Sequence, residues 1–247
     1  MEFGLRRRLT AEFVGTALLV IFGTGSVAAA LSIDQAGIDY SALGFISLTF
    51  GIVVAAVIYG FGAVSGAHIN PAVTVTLAVT KRFSWAEVPG YLAAQLAGAV
   101  SGSLLVVAMF GAATAQRGET GLTTLAPGVS PAAGVVAEAV GTFLLMFTVM
   151  AVAVNPQAPK GWAGLMIGLA VAGAILVVGP LTGGSFNPAR TFGPYLTGAV
   201  FGAQPPWPEL GVYIVGPLAG AILAALVYGV VALRRTELST SVNAVSE

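Results

Sequence analysis

Six long apolar stretches dominate this chain, at roughly residues 10–31, 43–64, 86–110, 131–154, 161–180 and 210–233. Each approaches the roughly 20 residues that a helix needs to cross a bilayer. The breaks between them carry charge or turn residues: Asp34 to Tyr40, Lys81-Arg82, Gln116 to Gly128, Asn155 to Lys160, and Gln204 to Pro208. Ser84-Trp85-Ala86-Glu87 reads as a capping box opening the third span. Ser130-Pro131 reads as an N-cap followed by proline at the first helical position of the fourth. Only 8% of the residues are charged, against about 25% in a soluble domain. The apolar excess must therefore face lipid.

Residues 1–31 could also be a secretory signal, with Arg6-Arg7-Arg8 as its basic start and Ala28-Ala29-Ala30 as a cleavage site. Three features oppose that. The apolar run is too long, Glu12 interrupts it, and its pattern returns in mid-chain, so we expect it to be retained as a span.

Six spans put both termini on one side. Arg6, Arg7, Arg8, Lys81, Arg82, Lys160, Arg234 and Arg235 share that side, eight of the ten cations. The positive-inside rule makes it the cytoplasm.

Two apolar segments are too short to span: Ala72 to Thr80 and Ala189 to Leu196. Each follows an Asn-Pro and reads as a re-entrant half-helix. Such backbone is tolerated at membrane depth only where it is buried in protein or lines a wet cavity.

The chain is also duplicated. AEFVGTALLV at 11–20 returns as AEAVGTFLLM 126 residues later, Asn70-Pro71-Ala72 returns as Asn187-Pro188-Ala189 after 117, and Gly98-x-x-x-Gly102 as Gly216-x-x-x-Gly220 after 118. Three spans per half is an odd number, so the second half enters from the opposite side. The expectation is an all-α membrane protein of six transmembrane helices and two half-helices in an inverted 3+3 repeat. It reads as one channel domain over 1–247, with a first repeat at 9–110, a connector at 111–130, a second repeat at 131–233 and a polar cytoplasmic tail at 234–247. The glycine pairs suit close helix contact in lipid.

Inversion brings the two Asn-Pro-Ala motifs together near the midplane, since nine helical residues cover roughly 13 Å. Asn70 and Asn187 fall at the N-caps and Pro71 and Pro188 at the first helical positions. Each N-terminus then brings about half a positive charge to the meeting point. Cations are repelled there. A water or alcohol oxygen can accept from the asparagine amides, and a water doing so points its own hydrogens away, which interrupts a proton wire. The carbonyls of Gly66, Ala67 and His68, and of Gly183, Gly184 and Ser185, are the candidate acceptors on the approach.

These motifs, SGAHINPAVT at 65–74 and GGSFNPARTFGP at 183–194, together with the repeated Ala-Glu and Gly-Thr pairs at 11 and 137, resemble the major intrinsic protein family of aquaporins and glycerol facilitators. The resemblance runs from about 9 to 233. It implies a right-handed bundle with one pore per subunit, assembled as a homotetramer in a cell membrane. It further implies an aromatic/arginine constriction at Phe50, Ile175, Gly184 and Arg190. A pore-facing arginine is costly in a membrane and so should have a role. Ile175 departs from the water-selective pattern, which has histidine there. Thr191 departs from the glycerol pattern, which has aspartate. The filter is similar to that of archaeal-type aquaporins, so water is the expected solute and glycerol or other small neutral solutes the alternative.

Glu12 and Glu138 are repeat-equivalent carboxylates inside spans. We read each as the acceptor for one re-entrant loop rather than as part of a proton relay. His68, the single histidine, is expected in the pore wall. Trp85, Trp162 and Trp207 fall near span ends, as an interfacial belt would. No cofactor is expected: the chain has no cysteine and a single histidine, which leaves little for a metal. Zero net charge without a basic patch gives no reason to expect nucleic acid. An ion-coupled transporter would need cation-coordinating groups at the pore centre. An enzyme would need a nucleophile–base pair or a phosphate loop, and neither is found.

Overall fold

The structure is a computed structural model that describes residues 3–34 and 37–232. The proposed tail at 234–247, with Arg234 and Arg235, lies outside the described residues, as does residue 233 of the last expected span. In chain order the helices are α1 (Leu5–Ile33), α2 (Tyr40–Ser65), α3 (Pro71–Val79), α4 (Val88–Phe110) and the short α5 (Ala112–Gln116). Then come α6 (Pro131–Val149), α7 (Ala163–Thr182), α8 (Pro188–Val200) and α9 (Val212–Val231). Six of the helical stretches are long and apolar enough to cross a membrane. α3 and α8 are the two half-helices.

The polarity is that of a protein inside lipid. Phe45, Ile52, Leu105, Val177, Leu223 and Val230 are exposed, while Glu12, Gln95, Glu138 and Arg190 are buried. Trp85, Trp162 and Trp207 are exposed at span ends.

Several element ends differ from the sequence expectations. α1 starts at Leu5 and so takes Arg6, Arg7 and Arg8 into its first turns. α8 has 13 residues and outlasts the expected segment. α6 runs on through a π turn at Met150–Val154, and a 3-10 turn at Trp207–Gly211 precedes α9. The cap at Ser130 forms as its sequence suggests, its hydroxyl accepting from Ala133 N at 3.2 Å. The capping box at 84–87 does not form. α4 opens at Val88 with no side-chain cap, because the Glu87 carboxylate is taken by Arg8 through two bonds of 2.9 and 2.6 Å. A bidentate guanidinium is a stronger partner than a neutral backbone N–H.

Glycines set how closely the helices pack. A Cβ on Gly102 would lie 2.6 Å from the Ala17 carbonyl oxygen of α1, and one on Gly98 would strike the Phe13 carbonyl. In the second half, Gly216 meets Val135 and Glu138 of α6, and Gly220 meets the Ala139 carbonyl. α2 and α7 cross where Gly51 and Gly168 face each other, each packed against the other's carbonyl oxygen. These two residues are themselves repeat partners, 117 apart, so this contact lies on the pseudo-two-fold axis.

Gly220→Leu is expected to wedge α9 from α6 and lower the unfolding temperature in detergent, an overpacking effect of about 1–3 kcal/mol or more. Gly229→Leu is its control, since a Cβ there meets open space. Equal melting of the two variants would show that α9 does not depend on this approach.

Candidate functional site

The two loops that lead into α3 and α8 share an unusual backbone. Gly66, Ala67 and Ile69 have φ of 86°, 47° and 44°, and their repeat partners Gly183, Gly184 and Phe186 have 80°, 58° and 56°. Left-handed backbone costs a non-glycine residue about 1–3 kcal/mol, and a β-branched one such as Ile69 is a rare occupant. Something must hold these loops.

The carboxylates of α1 and α6 do so. Glu12 accepts from His68 N (2.9 Å), Ile69 N (2.7 Å), the Ser65 hydroxyl (2.7 Å) and Gln95 Nε2 (2.8 Å). Glu138 accepts from Ser185 N (2.9 Å), Phe186 N (2.7 Å) and the Thr182 hydroxyl (2.6 Å). Two buried tyrosines tie down the helix ends just before the loops: Tyr91 donates to Ser65 O and Tyr213 to Thr182 O. The glycine three residues after each glutamate makes the room that the strained residue needs. A Cβ on Gly15 would lie 2.8 Å from Ile69 Cγ2, and one on Gly141 would overlap the Phe186 ring. The repeated Glu-x-x-Gly is thus one unit that anchors a loop and clears space for its side chain.

Asn70 and Asn187 stand at the tips. Their Oδ1 atoms cap the half-helices, accepting from Ala72 N (2.9 Å) and from Ala189 N and Arg190 N (3.0 and 3.3 Å). That leaves both amide groups as donors. Each donates once across the meeting point: Asn70 Nδ2 to Phe186 O and Asn187 Nδ2 to Ile69 O, both 2.8 Å. These reciprocal bonds join the two halves, and the strained residues supply the carbonyls. Each amide keeps one further hydrogen. Pro71 and Pro188 hold the first helical positions, and Ala72 and Ala189 are fully buried behind them.

A cavity of about 720 Å³ runs beside these tips. Part of its lining is polar, from Gly66, Ala67, His68, Asn70, Ser185, Asn187 and Arg190. Much of the rest is aliphatic, including Leu19, Val54, Leu145, Val149, Ile167 and Val171. Gly183 and Gly184 do not line it. Gly183 closes α7 and faces Thr123, and Gly184 turns towards Phe186 and Gly179. No carboxylate is among the lining residues.

Phe50, Ile175 and Arg190 all line the cavity. The Arg190 guanidinium lies 5.1 Å from the Phe50 ring centroid. Its Nη1 donates to Gly121 O at 2.6 Å, while Nε has no acceptor among the described residues. Gly121 has φ +82° and packs against Thr24, so the segment that carries Gly121 helps to aim the arginine. Arg82 also lines the cavity, its Nη1 bonded to Thr80 O at 3.0 Å. Burial lowers that guanidinium from its ordinary value.

Sequence reasoning missed the aliphatic lining, Gly121 and Arg82. The repeat itself could have found that lining. Leu19 and Leu145 are 126 apart, and Val54 and Val171, Phe50 and Ile167, and Ile58 and Ile175 are each 117 apart; all eight line the cavity. The same offset pairs Arg190 with Val73, so this charged lining residue has an aliphatic counterpart that also lines the cavity.

This architecture has known relatives. The family model for Major intrinsic protein matches residues 2–228. Aquaporin AqpM of Methanothermobacter marburgensis is 46% identical over 237 residues, covering 91% of this chain and 96% of its own. Aquaporin NIP1-4 of Oryza sativa subsp. japonica is 39% identical over 233 residues, covering 94% and 80% respectively. The X-ray structure of the aquaglyceroporin from Plasmodium falciparum superposes with a TM-score of 0.82 over 96% of this chain and 100% of that one, at 23% identity, a likeness of fold. With a match across nearly its whole length and close relatives over nine-tenths of it, this chain belongs to the major intrinsic protein family.

Proposed function

We propose that this protein is a passive channel for water, with glycerol and other small neutral solutes as further permeants, and that it excludes protons and ions. It carries out no chemistry on what it passes and is not an enzyme. The observation that carries this reading is the meeting of Asn70 and Asn187. Each has a spare amide hydrogen at the positive end of a half-helix, in a cavity whose lining is otherwise largely aliphatic. A permeating oxygen finds donors at the motifs and little that binds it among the aliphatic residues, so it is oriented without being held. Cations meet Arg190, Arg82 and two helix N-termini. An arginine together with positive half-helix ends is the general electrostatic barrier of aquaporin-type pores.

Phe50, Ile175 and Arg190 form the constriction in this reading, with Gly184 behind it as a residue without bulk. The carbonyls of Gly66, Ala67, His68 and Ser185 act as the acceptors along the polar lining, and Glu12 and Glu138 as loop scaffold. We assign 9–110 and 131–233 as the two repeats and 111–130 as the connector. Both termini lie in the cytoplasm of a cell, by the distribution of basic residues. The assembly is a homotetramer in the cell membrane, the state that the family resemblance implies.

Glycerol is kept as a permeant because of Ile175. An isoleucine offers no hydrogen-bond donor where a histidine would narrow and polarise the ring. Light scattering from liposomes after a sucrose jump and a glycerol jump tests this. Fast shrinkage in both, with fast re-swelling in glycerol, is expected. Ile175→His is expected to cut glycerol flux by about tenfold, about 1.4 kcal/mol on the glycerol barrier, and water flux by less. Equal losses would remove Ile175 from the constriction. No acceleration by the folded wild type in either jump would overturn the water-channel reading.

A further inference from the structure

His68 lines the cavity and packs on two rings that do not line it. Its ring centroid lies 4.9 Å from that of Phe83 and 5.2 Å from that of Tyr91, and those two stand 4.6 Å apart. The Arg8 guanidinium covers both, 5.8 Å from the Phe83 centroid and 5.4 Å from that of Tyr91. It is fixed there by its two bonds to Glu87 and by Nε, which donates to the Tyr91 hydroxyl at 3.0 Å. That hydroxyl in turn donates to Ser65 O, at the start of the first loop. The end of α3 shapes the same corner. Lys81 has φ +58°, and Arg82 N donates back to Leu77 O at 2.7 Å. Beyond this tight turn Arg82 lines the cavity while Phe83 joins the rings.

We infer that Arg8 and Glu87 are positioning residues for permeation: their ion pair pins Phe83 and Tyr91, and so sets how far the His68 ring stands out of the bore. This role rests on the channel reading above. Neither residue is among those that line the cavity. The pair suits the task. A bidentate guanidinium–carboxylate pair fixes direction as well as distance, and a planar guanidinium stacks on aromatic faces. With side chains only 22% and 27% exposed, it is screened less by salt than a surface pair. The second half holds the matching place by other means. Ser185, 117 residues after His68, bonds the Thr191 hydroxyl at 2.6 Å, and Thr191 meets Thr123 at 3.1 Å. Hydroxyls do there what rings and a guanidinium do in the first half. Loss of the ion pair therefore acts on one end of the bore. With Arg8 released, Phe83 and Tyr91 lose their cover, the His68 ring backs away, and the bore widens beside it. The larger solute gains most.

The chain has a single histidine, so the untagged full chain grown with isotope-labelled histidine gives one set of imidazole signals by NMR. Glu87→Gln and Arg8→Gln are each expected to shift those signals. In liposomes each is expected to raise the ratio of glycerol to water permeability about fivefold, the size of a modest ion pair. The double variant is expected to match the single ones, because the two residues act as one unit. Arg8→Lys keeps the charge without the fork and is expected to fall between, which also covers a neutral variant that fails to fold. Gly220→Leu is the control for stability alone. It is expected to lower the unfolding temperature and to leave both the imidazole signals and the ratio in place. Unmoved signals, an unmoved ratio, additive effects of the two single variants, or equal changes in Gly220→Leu each overturn the role. A wild type that passes neither solute overturns the channel reading and this role with it. A conducting wild type with unchanged variants overturns this role alone.

Discussion

Replacing Glu12 with leucine is expected to abolish water permeation and to destabilise the protein by at least about 4 kcal/mol. The carboxylate receives four donors, two of them the backbone N–H groups of His68 and Ile69. Each buried donor left without an acceptor costs about 1–3 kcal/mol. Ala67 and Ile69 also sit in left-handed backbone, and that strain is relieved once the loop lets go. Ile69 O would then no longer face Asn187 Nδ2, so the damage crosses into the other half. Glu138→Leu should behave alike through Phe186 O and Asn70. Glutamine at either position keeps the shape and one acceptor oxygen, so it should fall between. Thermal unfolding in detergent and light scattering from liposomes measure both effects. Wild-type melting and flux in both leucine variants would mean that the loops are held by other groups.

Asn70→Asp should leave the fold recognisable and open the pore to cations. The substitution is isosteric, and one carboxylate oxygen can still cap α3 through Ala72 N. The other replaces Nδ2 and so faces the Phe186 carbonyl oxygen, where a 2.8 Å hydrogen bond becomes a repulsion. A carboxylate within the membrane costs about 2.5–3.5 kcal/mol, which should show as a lower unfolding temperature. Its charge also offsets the half-charge of the helix end. Sodium or potassium leak through reconstituted liposomes at neutral pH is expected to rise about tenfold, corresponding to about 1.4 kcal/mol off the barrier. Asn187→Asp should act through Ile69 O in the same way. An unchanged leak in both variants would mean that the midplane does not exclude cations.

Much of this architecture is written in short range along the chain. A run of about 20 apolar residues declares a span because lipid accepts nothing else. Asn-Pro before a half-length apolar run declares a capped half-helix, since proline at the first turn loses no bond and asparagine supplies one. Asn70 and Asn187 do cap α3 and α8. The offset of the repeats, with an odd number of spans in each, is enough to invert the second half.

What each helix faces was not legible in this way. A span bordered by lipid on one side and protein on the other is apolar all round, so hydrophobic periodicity carries little about direction. Leu19 in the cavity wall and the exposed Phe22 read alike. Competition between partners was equally hidden. Ser84 to Glu87 has the spacing of a capping box, but Arg8, 79 residues away in sequence, takes the glutamate. By itself the sequence determined the spans, the duplication and the caps at Asn70, Ser130 and Asn187, because those depend on neighbours in the chain and on the solvent around it. Only the tertiary structure decided that the two asparagines lock each other's loops, that Gly51 and Gly168 meet on the axis, and that Gly121 aims Arg190. Each of these is a contact between residues about 70 or more apart in the chain, whose partners are set by how whole helices pack.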